Sequence, residues 1–212
     1  MSYKIFIAYA REDDQLATLI HNCLAKINEF IPYKAEIYQE FGDNFKQRLE
    51  RELSQSFAMV VLLTENGMNS QWVNQEIGYA YALKKRGWAQ ANLPHIIPIS
   101  YGSVQLKAFI TKDSIDILFL DKYSFVEAAM ADIISQIRLR IPRGLEGNSL
   151  HCRITCFNCF DEKGFEYEYF GLLPSAQDVT KAIQSGRHIF SYTCPKCHSP
   201  NNVDIRTFES IK

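Results

Sequence analysis

Residues Phe57–Leu63 read FAMVVLL, an almost unbroken apolar run. A strand that is apolar at nearly every position is covered on both faces, the environment of a central strand in a parallel sheet. Short apolar segments alternate with helix-length ones on either side of it. Lys4–Tyr9 (KIFIAY) predicts a first strand, and Leu16, Leu19, Ile20, Cys23, Leu24 and Ile27 recur at helical spacing, predicting a helix over 13–29. Ala35–Tyr38 reads as a brief second strand. Asn44 with Gln47 fits an N-cap and its return partner, opening a charged helix to about Ser54. Beyond the central run come a loop over 64–70, a helix over 71–86, and strands at Ile96–Ser100 and Ile115–Leu120. A capping box at Ser124 and Glu127 opens a last helix whose face is Val126, Met130, Ile133, Ile134, Ile137 and Ile141.

This alternation predicts an α/β fold: a five-stranded parallel flavodoxin-like sheet with helices on both faces. Ligands of such sheets bind beyond the C-terminal strand ends, where the strand order reverses. That crevice would be bordered by residues 8–12 after the first strand and 64–72 after the third. Pro142–Ser149 (PRGLEGNS) has two glycines, a proline and no periodicity, and is the expected boundary. The expected domains are therefore 1–145 and 150–212.

The net charge of -1 gives no reason to expect a general nucleic-acid or anionic-membrane surface. No apolar run approaches the ~20 residues that span a bilayer, and no secretory signal pattern opens the chain. A cytoplasmic location is expected. Five of the six cysteines fall between residues 152 and 197, and in a cytosolic chain such clustering reads as metal binding before disulfides.

Cys156-x-x-Cys159 and Cys194-x-x-Cys197 are two knuckles. Each lets two sulfurs approach one ion, and four thiolates complete a tetrahedral Zn²⁺ site of structural type. The 34-residue spacer (160–193) exceeds ordinary zinc-ribbon spacing but reads as strand Phe165–Phe170, a helix from Ser175 with Asp178 as capping partner, and strand His188–Tyr192. Cys152 is a possible substitute ligand, and His151 and His198 are bystanders. The competing reading is two pairs of reduced, buried cysteines. Positive charge in this zinc-ribbon-like module is sparse, which argues against nucleic acid and for a protein partner or a sensor ligand.

Trp72, Glu76, Tyr79 and Leu83 share one helix face, and Glu76 is the one ionisable group other than tyrosine between 71 and 83. A carboxylate among apolar neighbours is costly unless paired, neutralised or functional. One bland reading is a hydrogen bond to the turn after the first strand.

Three segments in order resemble a TIR (Toll/interleukin-1 receptor) domain. They are FIAYAREDD at 6–14, IYQEFGDNFKQRLERELSQS at 37–56, and VVLLTENGMNSQWVNQEIGYAYAL at 60–83. The last carries Ser-x-Trp followed by Trp-x-x-x-Glu. Some TIR domains cleave the nicotinamide–ribose bond of NAD as glycohydrolases or cyclases, and the resemblance places their essential glutamate at Glu76. It implies NAD as substrate, TIR–TIR self-association, and a role in immune or antiviral defence signalling. Ala8-Tyr9-Ala10 departs from members with serine at these alanine positions, so no hydroxyl contact is expected there. By location, Tyr9 or Trp72 would stack on a ring of the dinucleotide and Arg11 would pair with its pyrophosphate. Many TIR domains are adaptors without activity, and that alternative would use the 39–46 loop to recruit partners. A nucleoside deoxyribosyltransferase-like enzyme, which also sets a glutamate against an anomeric carbon, is a further alternative. A receiver-type phosphorylation domain is disfavoured, because the third strand ends Leu63-Thr64-Glu65 without an aspartate.

Overall fold

A computed structural model describes residues 2–34, 43–85, 94–102, 104, 117–122, 129–141 and 149–212. By their contacts these fall into two compact units, 1–22 with 30–126, and 23–29 with 127–212.

The first unit is built on one five-stranded parallel sheet. Its strands are β1 (Tyr3–Ala8), β2 (Phe30–Lys34), β3 (Ala58–Leu63), β4 (His95–Ser100) and β5 (Leu118–Phe119), in the order β2-β1-β3-β4-β5. This is the flavodoxin-like winding expected from the alternation of elements. All six residues of β3 are buried, because β3 lies at the centre of the sheet. By strand alternation Phe6, Ala8, Met59, Val61 and Leu63 face one side. There they join Leu49 and Leu53 of α2 (Asp43–Ser54) and Val73, Ile77 and Ala80 of α4 (Gln71–Lys85) in one apolar cluster. Ile5, Ile7, Val60 and Leu62 point the other way and are equally buried, so both faces are covered.

Strand β2 lies at Phe30–Lys34, in parallel register with β1 from Tyr3↔Phe30 to Ile7↔Lys34. The expected strand at 35–38 falls on residues outside those described. Pro32 is accommodated because β2 is an edge strand, where a missing N–H need not break a ladder. The first helix, α1, is shorter than expected, Asp14–Ala25, and follows a 3-10 turn at Arg11–Asp13. The expected loop at 64–70 contains a short helix, α3 (Glu65–Asn69). The Ser124–Glu127 capping box lies outside the described residues. Among the described residues no helix is long and apolar enough to cross a membrane.

The second unit contains α5 (Met130–Arg138), the hairpin β6 (His151–Phe160) and β7 (Glu166–Leu172), α6 (Ala176–Gln184), and an antiparallel sheet of β8 (Ile189–Thr193), β9 (Pro200–Asp204) and β10 (Glu209–Ile211). Ser175 caps α6 as expected, accepting from the Asp178 N–H at 3.1 Å. Gly171 is needed for close approach: a Cβ there would lie 2.4 Å from Ile154 Cδ1 and 2.6 Å from Tyr192 Cδ1.

Candidate functional site

The turns after β1 and β3 meet, as the reversal of strand order requires. Thr64 Oγ1 donates to Asp13 Oδ2 at 2.5 Å, and Asn66 Nδ2 donates to Asp13 Oδ1 at 3.2 Å. The same hydroxyl accepts from the Gly67 N–H at 2.9 Å, capping α3. Glycine fits at 67 because a Cβ would stand 2.2 Å from the Leu62 carbonyl oxygen. Asp13 is therefore a tie between two loops, a role its sequence position did not suggest.

Tyr9 is 3% exposed, and the Lys34 ammonium sits 5.6 Å from its ring centroid. Lys34 Nζ also donates to Asp14 Oδ1 at 2.9 Å and Thr18 Oγ1 at 2.6 Å. The Lys34 hydrogen bond holds the exposed Asp14 carboxyl below its usual value. Arg11 is exposed in the 3-10 turn.

A cleft of about 460 Å³ opens beside α2 and α4, a size suited to a small-molecule ligand. Its described lining residues include Leu49, Glu50, Leu53, Trp72, Glu76 and Tyr79. The structure thus brings Glu76 and Trp72 together, while Tyr9 and Arg11 are not among the described residues that line the cleft. Glu76 is 4% exposed, and its Oε2 has no hydrogen-bond partner among the described residues. Burial pushes the Glu76 carboxyl well above its usual value, against a smaller lowering by the Trp72 indole. Burial therefore favours the protonated form of this carboxyl relative to a solvated glutamate.

Tyr33 and Arg48 belong to the same electrostatic neighbourhood and were not singled out in the sequence. Burial raises the Tyr33 pKa; Arg48 lowers it by charge and hydrogen bond, and the charges of Glu52 and Glu76 raise it. No local signal marks either residue, since β2 and α2 converge only in the folded sheet.

The sulfurs of Cys156, Cys159, Cys194 and Cys197 all lie within 4.8 Å of one another. Cys156 and Cys159 sit at the end of β6, where the ladder to β7 shifts register. Cys194 and Cys197 occupy the turn between β8 and β9. The Lys196 N–H points at Cys194 Sγ at 3.4 Å, and the Cys156 and Cys197 sulfurs are 3.6 Å apart. Zinc bound at about 2.3 Å to four thiolates requires sulfurs separated by about 3.8 Å, so the donor set fits. Hydrogen bonding with Cys197, then burial, pushes the Cys159 thiol up to about 12. The Ser199 hydroxyl and its backbone pull Cys197 down to about 6. Cys152 stands apart from the four, against the Gly171 carbonyl and the Tyr192 hydroxyl at 3.6 Å each.

The parallel sheet and its winding define a flavodoxin-like α/β domain. The family model of the TIR domain matches residues 5–133, more than half of the chain. The chain belongs to the TIR domain family. A search of curated proteins finds no match.

Proposed function

We propose that residues 1–145 form a TIR domain that cleaves the nicotinamide–ribose bond of NAD, with Glu76 as the catalytic carboxylate. The observation that carries this reading is the buried Glu76 carboxyl, with Oε2 unpartnered among the described residues, lining a cleft beside Trp72. Nicotinamide leaves from a pyridinium, so its departure cancels its own charge and needs no general acid. The demand falls on the oxocarbenium-like ribose. One carboxylate close to that cation contributes on the order of 3–4 kcal/mol in the transition state. Entry of the cationic substrate favours the ionised form of Glu76, so the charge forms where it is used. Water or a ribose hydroxyl of the ligand then attacks, giving hydrolysis or cyclisation.

In this reading Trp72 stacks on a ring of the substrate and Arg11, exposed after β1, pairs with the pyrophosphate. Tyr9 joins them once its ring is uncovered from Lys34. TIR–TIR self-association completes the site, and the activity serves defence signalling in the cytoplasm. Residues 150–212 form a zinc-ribbon-like module in which Cys156, Cys159, Cys194 and Cys197 hold a structural Zn²⁺, supported by the convergence of the four sulfurs. A small domain with so slight a core draws much of its stability from such an ion. Its surface serves a protein partner or a sensor ligand.

The test is NAD consumption at high protein concentration, wild type beside Glu76→Ala, with products separated by chromatography. Loss of NAD with wild type alone supports the enzyme, and a drop of about 10²–10³-fold in the variant fits one lost electrostatic stabiliser. No loss with either protein moves the reading to a non-catalytic interaction module.

A further inference from the structure

The segment Cys23–Glu29 closes α1 and leads straight into β2, yet by its contacts it belongs to the unit that holds the cysteines. The reason is a short ladder onto β6. Ile27 bridges Cys152 in antiparallel fashion. The Asn28 N–H donates to the His151 carbonyl at 2.8 Å, and the Arg153 N–H donates to the Lys26 carbonyl at 2.9 Å. The Glu29 carboxylate accepts from the His151 N–H at 2.8 Å and lies 2.7 Å from its Nδ1. Ile27 is 1% exposed and Cys152 also 1%, so the junction is packed as well as hydrogen-bonded.

The same strand carries the first knuckle. Cys152, Ile154 and Cys156 alternate onto one face of β6 and are all buried. Cys156 forms one buried group with Cys159 and Cys194, and the half-buried Tyr167 and Tyr169 pack against it. The Tyr169 hydroxyl accepts from Asn201 Nδ2 at 3.2 Å, and Asn201 Nδ2 also reaches the Ser199 carbonyl beside Cys197. Tyr192, on the strand that leads into the second knuckle, donates to the Leu172 carbonyl at 3.1 Å and meets the Cys152 sulfur.

We propose that metal binding at the four cysteines acts as a latch on Lys26–Glu29, holding the connection between α1 and β2 in place through β6. The proposal rests on the reading of the four cysteines as a metal site. Without the ion, β6 loses the anchor at its far end and the ladder at Cys152 opens more often. With the ion, the segment that feeds β2 is held.

The experiment is hydrogen exchange on the full chain, zinc-loaded and after chelation, with metal content measured by mass spectrometry on both samples. The Asn28, His151 and Arg153 amides report the latch, the Cys194 and His198 amides report the knuckle, and Val60 and Leu62 of β3 are internal controls. Chelation is expected to speed exchange of the three latch amides by about tenfold or more while the β3 amides hold. Glu29→Ala is measured beside the wild type. It should speed the His151 amide in the zinc-loaded protein with metal content unchanged. Knuckle amides that respond to chelation while the latch amides stay protected would overturn the latch and leave the metal site standing. A chain that takes up no zinc would overturn both.

Discussion

Glu76→Gln replaces a buried carboxyl by a neutral group of nearly the same shape, so it isolates the cost of ionisation at this site. In the unfolded chain Glu76 titrates near 4.5; in the folded protein burial holds it well above that. Between these values the folded state keeps a proton that the unfolded state has released. Wild-type stability therefore falls as pH rises through this window, by up to about 1.4 kcal/mol per pH unit for one proton. Glutamine has no such term, and the other titrating groups are common to both proteins and cancel in the difference. The variant should match the wild type to within a constant offset below pH 4.5. It should gain on the wild type as pH rises and level off above the folded pKa. For a chain of this size each kcal/mol corresponds to roughly 2–4 °C in melting temperature, so the gap between the two should widen measurably as pH rises from 4.5. Trp72 lies on α4 of the sheet-bearing unit, so its fluorescence reads the unfolding of that unit. An imperfectly placed glutamine amide would change the offset and leave the slope alone. A stability difference that stays flat between about pH 5 and pH 8 would refute the reasoning, because it would mean that Glu76 is ionised and compensated in the folded state.

The same raised pKa fixes the sign of the pH–rate profile. For NAD cleavage kcat/KM should climb with pH, by up to about tenfold per unit until the carboxyl is ionised, and a falling profile over that range would remove Glu76 from the role of carboxylate. Gly78 lines the cleft, and a Cβ at that position would meet nothing within 4 Å. Gly78→Leu should obstruct the cleft while keeping or raising the melting temperature, since a helical glycine costs up to about 1 kcal/mol; isothermal titration with NAD should then show lost binding. Thr64→Val removes the donor to Asp13 and the cap of α3 together, and denaturant unfolding should show a loss of about 1–3 kcal/mol. A variant as stable as wild type would mean that the stitch between the two turns contributes nothing.

Alternation of FAMVVLL with helix-length segments is enough to predict the parallel sheet and its winding, because a doubly covered strand needs apolar residues at every position. Residue type and spacing likewise mark the two Cys-x-x-Cys knuckles and the Ser175–Asp178 cap, since each is completed within a few residues. Glu76 is legible as an anomaly, a lone carboxyl on an apolar helix. What tertiary structure alone decided has partners far apart in the chain. Strand β2 at Phe30–Lys34 is defined by its register on β1, and its edge position admits Pro32 where local propensity argues against a strand. The cleft arises where α2 and α4 flank it, and only there do Leu49 and Leu53 become neighbours of Trp72 and Glu76. The tie of Lys26–Glu29 to β6 joins residues more than 120 positions apart. A pairing of that span leaves no periodicity in either segment, because its two backbone–backbone bonds are satisfied by position in the fold, and the Glu29 carboxylate finds the His151 N–H only once the two segments have met.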